Sequence, residues 1–146
     1  MNNWICRILS LTIPILVGSC LYAETKEIKP TQQWKGSVTD LDLGKLAPES
    51  LYIDDAKSFT KIWDKWETGK KERPKIDFGK ELVIVVTTRG SSCSTTTRLS
   101  DNGNLSIDAI TTLDFGEGFR YQILVIPAKG IKSINGKEYK KRKEID

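Results

Sequence analysis

The run Leu82-Val83-Ile84-Val85-Val86 constrains the fold of this chain more than any other feature. Five successive apolar residues, four of them β-branched, leave no polar side for water. So short a run fits a strand buried on both faces. Tyr121 to Ile126, closed by Pro127, reads as another core strand.

The remaining elements are mostly β. Trp34 to Val38 and Ser50 to Ile53 look like two short strands, separated by a turn-rich stretch holding Gly44 and Pro48. Thr95 to Ser100 and Leu105 to Ile110 flank Asp101-Asn102-Gly103-Asn104. The Asn102-Gly103 dipeptide accepts two positive φ angles and predicts a hairpin with a tight turn. Leu105, Ile107 and Ala109 alternate with Ser106 and Asp108, which implies one wet face. Asn135-Gly136 marks a last, weaker hairpin. One helix stands out: Ala56, Phe59, Ile62, Trp63 and Trp66 recur at helical spacing. Asp54 and Asp55 offer acceptors to its first amides, Gly69 suits the left-handed cap, and Pro74 stops continuation. The expected fold is α+β and β-rich: a small, mostly antiparallel sheet or sandwich with one amphipathic helix.

The first residues read as a secretory signal. Arg7 supplies the positive start, Ile8 to Val17 the apolar core, and Gly18-Ser19 the small-residue exit. The run falls well short of the roughly 20 residues a spanning helix needs. Val17-Gly18-Ser19-Cys20 resembles a lipobox, which makes Cys20 the candidate lipidation site; cleavage after Ala23 competes with it. The expected organisation is a signal at 1–23, a polar linker with Pro30 at 24–33, one β-rich domain at 34–139 and a basic tail at 140–146. Roughly 125 residues remain after cleavage, a usual size for one core. Export to the periplasm or cell surface is expected, with membrane attachment through a lipid if Cys20 is acylated.

Once Arg7 leaves with the signal, 22 basic residues face 19 acidic ones, too even a balance to argue for nucleic acid. The basic run Lys140-Lys141-Arg142-Lys143, with Lys137, reads as a solvated tail. Cys6 leaves with the signal and Cys20 is lost or acylated, so Cys93 stands alone and no intrachain disulfide is available.

Histidine is absent. That removes Ser-His and Cys-His activation and the commonest zinc ligand, leaving an enzyme only carboxylates, Lys or Tyr. The stretch from Arg89 to Arg98 is unusual in composition. A thiol between two arginines gains thiolate character if either guanidinium reaches it; otherwise Cys93 packs as a small hydrophobe. Gly90, Ser91, Ser92, Cys93, Ser94 and Thr95 are the candidate partner-binding residues. Asp40-Leu41-Asp42-Leu43-Gly44 lacks the ligands and spacing of a calcium loop. Gly116-x-Gly118 has no third glycine and is no dinucleotide fingerprint. No catalytic residue, metal or cofactor is assigned. Trp34 packs in the core or at an edge, or else offers a sugar-stacking platform.

The segment from about Asp54 to Pro127 resembles the C-terminal domain of PrcB-type protease-complex subunits, found in exported bacterial lipoproteins. The resemblance rests on Ser58-Phe59 and Trp63 in the helix, and on Pro74-x-Ile76-Asp77-Phe78-x-Lys80-Glu81 running into Leu82 to Val86. Gly90, Leu105-Ser106-Ile107 and Ile123 to Pro127 continue it. It implies a noncatalytic partner of an envelope protease. Ser91 to Thr97 stands where members carry a Gly-Gly-Tyr-like turn. The expected function is an envelope binding module whose partner is another envelope protein. The alternatives are a carboxylate-dependent glycan hydrolase, drawing on Asp77, Asp108, Asp114 and Glu117, or a carbohydrate-binding module.

Overall fold

A computed structural model describes residues 24–66 and 72–141. In chain order the strands are β1 (Thr25–Glu27), β2 (Gln32–Val38), β3 (Tyr52–Ile53), β4 (Glu81–Gly90), β5 (Cys93–Ser100), β6 (Asn104–Thr111), β7 (Phe115–Pro127), β8 (Ser133–Ile134) and β9 (Lys137–Glu138). The helix α1 (Ala56–Trp66) lies between β3 and β4. One sheet runs β1-β5-β6-β8-β9 and the other β2-β7-β4-β3; all pairings are antiparallel except β6 with β8. The architecture is therefore β-rich α+β, a small sandwich with one helix.

β4 explains the layering. Val83 and Val85 point into a cluster with Phe59, Ile62, Trp63 and Trp66 of α1. Leu82, Ile84 and Val86 point the other way, into a cluster with Leu105 and Ile107 of β6. All five are at most 4% exposed, so the apolar run is covered on both faces, by helix on one side and sheet on the other. β7 does the same beside it, with Ile123 and Val125 toward the helix and Leu124 and Ile126 toward the second sheet.

The register shows how the two sheets are joined. β4 pairs with β7 from Glu81↔Pro127 to Thr88↔Arg120, then Gly90↔Phe115. β5 pairs with β6 from Cys93↔Thr111 to Leu99↔Leu105. Glu81 to Pro127 is thus one long antiparallel ribbon with its tip near Asn102, doubled back at Gly90–Ser92 and Thr112–Asp114. The shift between Thr88 and Gly90 leaves Gly116–Phe119 bulged opposite Arg89. Gly118 has φ +71°, and a Cβ there would lie 2.0 Å from the Val38 carbonyl oxygen, so only glycine fits.

α1 is capped by Asp55, whose Oδ1 accepts the Ser58 amide at 2.8 Å. Its apolar stripe is narrower than the spacing suggests, because Ala56 is exposed. Trp66 donates Nε1–H to the Leu43 carbonyl at 3.0 Å. That bond ties α1 to a 3-10 helix over Leu41–Leu46, where the sequence suggested only turns.

Other expectations need correction. Residues 24–33 are not a linker: Thr25–Glu27 pairs with Arg98–Ser100, and β2 begins at Gln32. Polar side chains are compatible with an edge strand, whose outer side faces water. The Ser50–Ile53 strand shrinks to Tyr52–Ile53, because Leu51 takes φ 62°. The β5–β6 turn is not the two-residue type. Only Gly103 has positive φ, and its amide bonds the Ser100 carbonyl at 2.8 Å, giving a three-residue loop with a glycine bulge. The turn with two positive φ angles is instead Asn135-Gly136, between β8 and β9. Ala109 is exposed, because β6 runs past the sandwich there. The signal with Cys20, the Gly69 cap, and Arg142 and Lys143 lie outside the described residues.

Candidate binding surface at the ribbon bend

The six residues singled out by sequence, Gly90 to Thr95, form the bend where β4 passes into β5. Gly90 is buried, and a Cβ there would sit 2.2 Å from the Thr112 carbonyl oxygen, so the close crossing of the two arms requires glycine. Ser91 and Ser92 are stapled to the other arm. The Ser91 amide donates to Asp114 Oδ1 at 3.1 Å, and the Ser92 amide to Thr112 Oγ1 at 3.1 Å. The Ser91 and Thr112 hydroxyls lie 3.2 Å apart, and the Thr112 amide returns to the Ser92 carbonyl at 3.3 Å. Side-chain hydrogen bonds from Ser91 and then Thr112, with the Ser91 amide, hold the Asp114 carboxyl well below the usual carboxylate range.

Cys93 is half-buried at the margin of the inter-sheet core, with Sγ 3.9 Å from Thr95 Oγ1. Neither flanking arginine is engaged with it. The Arg89 guanidinium lies 5.6 Å from the centroid of the Phe115 ring, and Arg98 binds Asp108 at 2.6 Å. Cys93 therefore packs as a small hydrophobe. Ser94 and Thr95 pair with Ile110 and Ala109 across the ribbon. On the β2 side a cleft of about 380 Å³ is lined by Lys35, Ser37, Ser91, Ser92, Cys93 and Arg120.

A feature missed in the sequence adjoins these residues. Ile110, Leu113 and Phe115 are 76%, 86% and 73% exposed, and only Leu41 joins them among exposed large hydrophobics of the described residues. The signal was present in the alternation: Leu105 and Ile107 point inward, so Ile110 falls in the outward phase.

The nominated carboxylates are scattered. Asp77 precedes β4, accepts the Gly79 amide at 2.9 Å and pairs with Lys80 at 3.2 Å. Asp114 lies past the far end of that ten-residue strand, about 30 Å away at the usual rise. Asp108 is held by Arg98, and Glu117 is an exposed residue of the bulge. Asp40 caps the 3-10 helix through the Asp42 amide, and Asp42 pairs with Lys45 at 2.7 Å. Among the described residues no three His, Cys, Asp or Glu side chains gather as a metal site. Trp34 is half-buried and meets Trp63 edge-to-face at 5.1 Å, so its ring is a packing element, not a free platform.

Comparison with known protein families, with curated proteins and with solved structures returns no match.

Proposed function

We propose that this chain is a noncatalytic binding module of the cell envelope that engages another envelope protein, with a protease as first candidate, through the ribbon bend. The observation that carries the reading is the exposed apolar trio Ile110, Leu113 and Phe115 beside Gly90–Thr95. Large apolar side chains grouped on an exposed surface mark contact sites. Arg89 stacked on Phe115 adds a side chain common in interface cores. The lack of histidine, the signal-like start and the likeness to PrcB-type subunits support the same reading. Acylation of Cys20 would tether the module to a membrane.

A photo-cross-linking residue at Ser92 or Leu113, used in envelope extracts, is expected to capture one stoichiometric protein. Leu113→Asp or Phe115→Asp should cut capture about tenfold or more, as for buried anchors of an interface. Capture that ignores both changes would move the surface elsewhere. Turnover of a cell-wall glycan that Asp77→Asn or Glu117→Gln abolishes would replace the binding reading with a hydrolase. Radiolabelled palmitate should enter the wild-type chain and not Cys20→Ala.

A further inference from the structure

The direction of the backbone groups along β6 is fixed by its neighbours. Ile107 donates its amide to Asn135 Oδ1 at 2.9 Å, and the Leu105 carbonyl accepts from the Asn135 amide at 2.8 Å. Across the ribbon, the Thr97 carbonyl is taken by the Ile28 amide on the far side of β5 at 2.9 Å. Leu105 and Ile107 therefore turn their N–H and C=O away from β5. With a strand period of two, Ala109 and Thr111 do the same. The bond from the Thr112 amide to Ser92 keeps this phase to the end of the strand. β8 covers β6 only at Asn104 and Leu105. Among the described residues nothing pairs with the outward groups of Ala109 and Thr111, and every side chain from Asp108 to Thr111 is exposed.

We propose that this open edge pairs with the same edge of a second copy of the chain, antiparallel about a two-fold axis at Ile110. In that register Ala109 faces Thr111 of the second copy, and Thr111 faces its Ala109. Both residues point outward, so each pair exchanges both of its N–H···O=C bonds. Ile110 meets its own counterpart in the closer-spaced, non-bonded pair, where apolar side chains gain most. Asp108 falls opposite the second copy's Thr112 and is already neutralised by Arg98, so no like charges oppose. A slip of one residue sets outward groups against inward ones. A slip toward β8 meets Ile107, whose amide Asn135 already holds. An edge that fits itself in this way suits the two-fold symmetry most oligomers adopt. Ile110 belongs to both surfaces, whereas the pairing groups of Ala109 and Thr111 lie outside the proposed partner surface, so self-pairing goes beyond that reading.

The contact is small beside the roughly 1,200–2,000 Å² of a stable interface, so association is weak and concentration-dependent. The test uses the full chain in mild detergent. On oxidation, Ile110→Cys is expected to form a symmetric disulfide-linked dimer about tenfold faster than Asp101→Cys, which lies exposed at the ribbon tip. Sedimentation should show a dimer growing with concentration, weakened about tenfold or more by Thr111→Pro, which removes only an outward N–H. Ile110→Lys, which sets like charges across the axis, should weaken it likewise, and reads independently if the proline variant melts early. Equal cross-linking rates, a monomer at all concentrations, or an edge occupied by a different protein without self-association would each overturn the proposal.

Discussion

Trp63 is 3% exposed, 5.1 Å from the Trp34 ring and 5.6 Å from Phe59, so its indole fills the space between α1 and the sheet. Trp63→Ala is expected to cost about 3–5 kcal/mol in denaturant unfolding, and a loss below about 1 kcal/mol would mean a ring that is not packed. Asp114 offers a second check. Its folded-state pKa is depressed, so its tie to Ser91 is fully present above the ordinary value of 3.8 and is lost only as pH falls well below that. Carbon-detected titration should find this carboxylate ionised at about pH 3, where free aspartate is largely protonated. Cys93, half-buried with its sulfur against Thr95, should label with thiol reagents much more slowly in the folded chain than in denaturant.

Among the elements, the helix and the core strands were legible because their patterns repeat over many residues. The turns were not, because a dipeptide shows which φ angles are tolerated and not which are used. Asn102-Gly103 and Asn135-Gly136 read alike in sequence, yet only the second takes both residues to positive φ. What separates them lies elsewhere in the chain. Asn135 is held by β6, its side chain accepting the Ile107 amide and its own amide donating to Leu105. Asn135→Ala leaves the Ile107 amide without that partner and should cost about 1–3 kcal/mol in unfolding experiments. Just after β9, Tyr139 stacks edge-on against Tyr52 at 5.5 Å. Burial, with the charge of Asp54 and then Tyr52, pushes its phenol up to about 12. Its contribution to stability is fully present below the ordinary value of 10 and is lost as pH rises toward 12. Phenolate absorbance should show a late-titrating component that Tyr139→Phe removes.

For the whole molecule, the continuous apolar runs foretold strands covered on both sides, and α1 on one face and the second sheet on the other supply those covers. The edge role of Thr25–Glu27 was hidden, because three polar residues carry no period; their place is set by the β5 groups they meet. The proposed binding surface was half legible. Gly90–Thr95 stood out by composition, whereas the exposure of its neighbours Ile110, Leu113 and Phe115 is set by the strand phase at Ile110 and by the bend that follows it. Amide exchange should be slowest in β4 and β7, both central and covered on both faces, and fastest in β1, β8 and β9. The doubled ribbon has a further consequence. Each sheet takes one strand from the arm before the tip and one from the arm after it, so a chain nicked between Asp101 and Asn102 yields two fragments, neither holding both partners of any ribbon pair. Each fragment alone would expose apolar strand faces, while the two together would restore every pairing along the ribbon. Such halves are expected to reassemble only with each other, as a split reporter does, and reassembly should be abolished by breaking the β4–β7 core with Val85→Asp.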